Sequence, residues 1–193
     1  MFAKSVSYRF SSSLSLRSSL CAVCVASLGF GAGCSASADI PEVVVTRSDV
    51  EFEAVPVIPG YTDISQELST SFDHPSDFEL PEGLNPELHP LAASVSGAGD
   101  MQDLSFLEGL EVTLASRAPG APEPYVLAYY ERPASGQAGR VVKLQTNKRS
   151  DVLSYWDTKE AYYDVRIWGI LPPEAWAIDV SFAFSGSISI STN

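Results

Sequence analysis

Two stretches of this chain hold residue types that could do chemistry. The first runs Asp73-His74-Pro75-Ser76-Asp77-Phe78-Glu79 and continues to Glu82, Glu87 and His89, so it holds both histidines of the chain among many carboxylates. Carboxylates and imidazoles ligate cations, and a histidine beside an acid is the start of a general-base pair. Asp73, His74, Asp77 and His89 are therefore the candidate metal ligands, and a hydrolase would have to build its site between Asp73 and His89. The spacing argues against both: there is no EF-hand loop and no H-E-x-x-H, and the histidines lie 15 residues apart in proline-broken chain. A solvated acidic loop explains the same residues.

The second stretch is Ala161 to Ile170. A strand has period two, so Tyr162, Asp164, Arg166 and Trp168 share one face, opposite Tyr163, Val165 and Ile167. Rings beside charged groups on an outward face can stack on sugars or anchor a protein partner, which makes these four the candidate ligand-binding residues. Tyr125, Tyr129, Tyr130, Tyr155, Trp156 and Trp176 also fall in the second half, where large rings equally well fill a core. There is no G-x-S-x-G, no phosphate-binding glycine loop and no dinucleotide fingerprint. Neither catalytic residues nor a cofactor are expected, and the chain reads as a non-enzyme.

Charge narrows the partners. The net charge is −12, with 24 acidic and 12 basic residues. From Cys34 to Ser116 a single basic residue, Arg47, faces 16 acids, whereas from Arg117 onward there are eight of each. Such a surface repels nucleic acid and anionic lipid headgroups and favours cations or a basic partner.

The N-terminus reads as an export signal. Lys4, Arg9 and Arg17 precede the apolar run Leu20 to Phe30, and the first 33 residues carry no acid. The uncharged stretch Ser18 to Gly33 is 16 residues long, short of the roughly 20 that span a bilayer core. Two cleavage sites compete. One releases a soluble periplasmic or secreted chain after Ala36-Ser37-Ala38. The other is Gly31-Ala32-Gly33-Cys34, which resembles a bacterial lipobox except at Gly31, where an aliphatic residue is usual. Cysteine usage favours the second: Cys21 and Cys24 would leave with the leader, and Cys34 would be the one thiol remaining, explained by lipid attachment. The domains expected are thus a signal peptide 1–33, a lipidated N-terminus and short tether 34–40, and a folded domain 41–193.

That domain reads as all-β. Ile178, Val180, Phe182, Phe184, Ile188 and Ile190 alternate with Asp179 and a row of small residues, which predicts one long strand with a bulge or bend at Gly186. Glu42 to Thr46, Val50 to Val55, Thr62 to Asp73 and five further short runs bring the total to about nine strands. Asp103 to Glu108 and Ser150 to Asp157 are the two pieces with helical character, each led by a capping residue. Short strands at this spacing predict an antiparallel β-sandwich of eight to nine strands with one or two helical turns.

The lipobox-type leader followed by an acidic all-β domain resembles small lipoproteins of Gram-negative bacteria. The resemblance implies outer-membrane anchoring through Cys34, since Ser35 rather than Asp follows it. A non-enzymatic binding or structural module of the cell envelope, which binds a protein or an envelope component through loops or an edge strand, is the function expected, with a carbohydrate-binding module using the second-half aromatics as the alternative and a hydrolase third.

Overall fold

The computed structural model describes residues 35–56, 64–74, 85–101, 103–134, 136, 139–148, 151–156, 158 and 160–191. The expected signal peptide and Cys34 lie outside these residues, as does Asp77. Among the described residues there are eight strands: β1 Ser35–Phe52, β2 Gln66–Asp73, β3 Asn85–Gly97, β4 Leu107–Ser116, β5 Tyr125–Glu131, β6 Val141–Thr146, β7 Ala161–Gly169 and β8 Trp176–Ser191. The single helix among the described residues, α1, is Leu153–Trp156. Among the described residues no helix is long and apolar enough to cross a membrane.

Every ladder is antiparallel, and the strands form one sheet in the order β1-β8-β3-β6-β5-β4-β7-β2. The pairs β1-β8, β2-β7, β3-β6 and β4-β5 are nested like the rungs of one long ribbon with β4-β5 at its tip. Winding that ribbon adds β8-β3, β4-β7 and β5-β6, which is the double Greek-key connectivity of a jelly roll. The expected two-layer sandwich is replaced by a nearly closed, barrel-like sheet, because β6 belongs to both halves. Its residues Val141 to Leu144 pair with β3, and Gln145 and Thr146 pair with β5. A strand that changes partners along its length turns a corner between two halves instead of separating them. On the opposite side β1 and β2 approach without a ladder, and a side chain bridges them: the Arg47 guanidinium sits 6.0 Å from the centre of the Phe72 ring.

Alternation fills the interior. Val95, Leu110, Val112, Leu114, Tyr163, Val165, Ile167, Ile178, Val180 and Phe184 are all fully buried. Rings tie the two halves together: Phe182 of β8 stacks on Tyr163 of β7 at 5.1 Å, and Tyr163 stacks on Phe72 of β2 at the same spacing. Burial of each large side chain contributes about 1.5–3 kcal/mol, so this column is a principal tie across the barrel.

The strand count is eight because Glu42 to Thr46 and Val50 to Val55 fuse into β1. The fusion needs a break in register between Arg47 and Val50, where Asp49 takes a φ of 54° and donates its N–H to Asp179 Oδ1 at 3.0 Å. Asp tolerates that left-handed geometry better than most residues. The bulge expected at Gly186 is displaced onto the neighbours. β8 keeps its register through Gly186, while β1 slips between Ile40 and Val43 and β3 between Pro90 and Ala92. Pro41 and Pro90 sit at those slips, where a missing N–H breaks no regular ladder bond.

Two further expectations are corrected. Residues 35–40, read as a tether, pair with 186–191 as the first third of β1. Asp103 to Glu108 is not helical: Asp103 Oδ1 accepts the Ser105 N–H at 2.9 Å, forming a turn that feeds β4 at Leu107. The second helical expectation survives as α1. There Asp151 Oδ1 accepts N–H groups from both Leu153 and Leu88, so one carboxylate caps the helix and fastens it to β3.

Candidate functional site

β7 lies between β2 and β4, and its side chains alternate strictly between the core and the outside. Tyr162, Asp164, Arg166 and Trp168 consequently line one outer face, as their parity requires. From Tyr162 to Trp168 this row spans about 20 Å at the rise of a strand. Its ends are rings and its middle is charged.

Neighbouring strands fix each member. Arg166 donates Nε–H to Glu67 Oε1 at 2.7 Å and Nη2–H to Glu67 Oε2 at 2.8 Å, a two-pronged pair across β7 and β2. The hydrogen bond, with the attraction between the charges, holds the Glu67 carboxyl below the usual range and raises Arg166, whose positive charge Glu111 and Asp164 also favour. Both partners are about half exposed, so the pair supplies orientation more than stability. At one end, the Arg117 guanidinium lies 4.3 Å from the centre of the Tyr162 ring and donates to Asp73 Oδ1 at 2.7 Å. At the other end Trp168 is paired with Gly109 of β4, and a Cβ added at Gly109 would overlap the indole. The absent side chain is what lets the Trp168 ring lie against the sheet, partly buried. This face can stack on planar apolar surfaces at its ends and exchange hydrogen bonds between them.

Among the described residues, Asp73, His74 and His89 are not gathered into one metal site. Asp73 is held by Arg117, and His89 Nε2 lies 3.5 Å from Glu87 Oε2. Residues 75–84, with Asp77, are outside the described set. Among the described residues no three His, Cys, Asp or Glu side chains converge as a metal site.

His74 is turned into the molecule. Its ring stacks on Trp156 at 4.4 Å, and its Nδ1 is 2.9 Å from the Tyr163 hydroxyl. Burial lowers its pKa from 6.5 to about 4 and pushes the Tyr163 hydroxyl well above the ordinary phenol range. The imidazole is therefore neutral at pH 7, and its Nε2 has no hydrogen-bond partner among the described residues. This polar core cluster was not visible in the sequence, because it depends on the end of β2 meeting β7 and α1.

No family model and no curated protein matches this chain. Its own geometry must carry the functional reading. Four of the second-half rings, Tyr155, Trp156, Tyr163 and Trp176, are buried, whereas Tyr129 is 40% exposed and donates its hydroxyl to Gln145 Oε1 at 2.9 Å. Sequence reasoning also missed a cleft of about 1040 Å³ where the far end of β1 meets β2 and the loops at 98–101 and 174–175. Asp49, Glu51 and Glu53 alternate along its edge, a period-two signal that the sequence did carry.

Proposed function

We propose that this chain is an exported, lipid-anchored and non-enzymatic binding module of the Gram-negative envelope, which presents the outer face of β2, β7 and β4 to its ligand. The observation that carries the binding part is the row Tyr162, Asp164, Arg166 and Trp168, oriented from both flanks by Arg117, Glu67 and Gly109. Ordinary solvated strand faces have mobile side chains. Here a two-pronged ion pair and a ring laid over glycine preorganise the face, which lowers the entropy lost on binding. The anchoring part rests on the charged and apolar leader and on Cys34. The non-enzymatic part is supported by the placement of His74, packed against inward-facing Tyr163 and away from this face.

The ligand favoured first is an envelope protein. A glycan is the second reading, favoured by the partly exposed Trp168 indole lying against the sheet, the geometry in which a ring stacks on a sugar face. One experiment separates them: the anchored protein and its Trp168→Ala and Arg166→Ala variants serve as bait against detergent-solubilised envelope, with a glycan array in parallel. Capture of one protein that both variants lose supports the first reading. Array binding lost with Trp168, and no captured protein, supports the second. Capture by both variants equal to that of the parent protein refutes the face itself. Replacing Cys34 by Ser tests the anchor: retention in the membrane fraction without a lipid mass refutes it.

A further inference from the structure

We propose that the open seam between β1 and β2 is a second site, a docking groove for an extended basic peptide. The cleft there, about 1040 Å³, is lined by Asp49, Glu51, Glu53, Asp100 and Glu174 and by no basic residue. A smaller hollow of about 110 Å³, lined by Arg47, Thr70 and Phe72 among others, continues it along the seam. Five carboxylates around one opening select for positive charge. Carboxylates alone would not distinguish a peptide from any other cation.

One feature makes the ligand a peptide. Among the described residues β2 pairs only with β7 and β1 only with β8, so each keeps one edge without a ladder facing the seam. Leu68, Ser69 and Thr70 of β2 line the cleft along that edge. An edge of unpaired N–H and C=O groups is a template for an added strand. Trp176 lines the same cleft and, only 7% exposed, gives it an apolar wall. Phe52, stacked on Trp176 at 4.6 Å, adds an apolar floor for the alternate side chains.

The bound segment is an added strand on the β2 edge at Leu68 to Thr70. Its Lys or Arg side chains point toward Asp49 and Glu53 across the seam and toward Asp100 and Glu174 at its mouth. This site is separate from the β7 face, so either can fail without the other.

The test uses the folded chain and a short synthetic peptide alternating Lys and Val, with a Glu/Val peptide and spermine as controls. Binding is followed by calorimetry and by amide hydrogen exchange. The Lys/Val peptide binds, protects the amides on the free edge of β2 at Leu68 to Thr70 and weakens as salt is raised; the Glu/Val peptide does not bind. Glu53→Lys with Glu174→Lys, both at exposed positions, weakens binding by about tenfold or more with the far-ultraviolet spectrum unchanged. Spermine binding as tightly as the peptide overturns the strand-pairing assignment. So does protection of those same amides before peptide is added, or a dimer of the free chain that buries the seam.

Discussion

His74 makes the acid limb of stability predictable. In the folded chain burial lowers its pKa from 6.5 to about 4. Between those values the unfolded chain binds a proton that the folded chain refuses, so stability rises with pH across this window. Above pH 6.5 the group costs nothing; below pH 4 the whole difference is lost, which amounts to roughly 3 kcal/mol at 1.36 kcal/mol per pH unit. His74→Asn places a non-titrating amide where Nδ1 faces the Tyr163 hydroxyl and gives up the stack on Trp156. Losing that stack should cost about 0.5–1.5 kcal/mol at pH 7.5. As the pH falls to 4 the variant should close this gap and then become the more stable protein by about 2 kcal/mol. Urea midpoints measured from pH 7.5 to 4 at fixed ionic strength give the comparison, because every other titrating group is common to both proteins. A gap that stays constant across the range, or a His74 ring that titrates near 6.5 by NMR, refutes the reasoning.

Other substitutions probe the site and its supports. Gly109→Ala should drive the Trp168 indole off the sheet and cost about 1–3 kcal/mol, seen as a red-shifted emission component that Trp168→Phe removes. Glu67→Gln breaks an exposed pair, so the thermal unfolding midpoint should hardly move while affinity at the β7 face falls severalfold. Asp151→Ala removes the acceptor shared by Leu153 and Leu88, and denaturant unfolding should show a loss of about 1–2 kcal/mol; Asp151→Asn should recover much of it.

What was legible in the sequence follows from period two. The inward faces of β7 and β8 and the outward row at Tyr162 to Trp168 need only the parity of one strand, so they could be read without knowing any neighbour. Arg47-Ser48-Asp49 interrupts that parity, and two strands were expected where Asp49 in the left-handed region carries one strand through. Asp103 illustrates the opposite ambiguity. The same side chain caps a helix or closes a short turn, and the following Leu104 and Leu107, both buried, drew the chain into β4. Strand partners are invisible to parity altogether, because every half-buried strand shows the same alternation. The wound order, the corner at β6 and the seam between β1 and β2 therefore had to come from the structure, and with them the Tyr163–His74 cluster and the acidic cleft.

The course of β1 joins the two proposed properties of the molecule. Its first residue, Ser35, pairs with Ser191 at one pole, and its last, Phe52, pairs with Trp176 beside the acidic cleft at the other. Eighteen strand residues separate those poles by roughly 50 Å. On the anchored reading the lipid on Cys34 is joined directly to a paired strand, with no free tether between. The barrel then stands on the membrane by its serine-rich end, and Asp49, Glu51 and Glu53 are carried to the far end. That separation exceeds the Debye length of about 8 Å at physiological salt several times over. The cleft's negative charge is thereby decoupled from the anionic headgroups, and a basic peptide that reaches it is drawn by the protein alone. Moving the anchor to the C-terminus through a lipidated tag would keep this polarity, since Ser35 and Ser191 are partners. Moving it to the loop at Gly99 would bring the cleft down to the membrane, where anionic vesicles should weaken Lys/Val peptide binding to it.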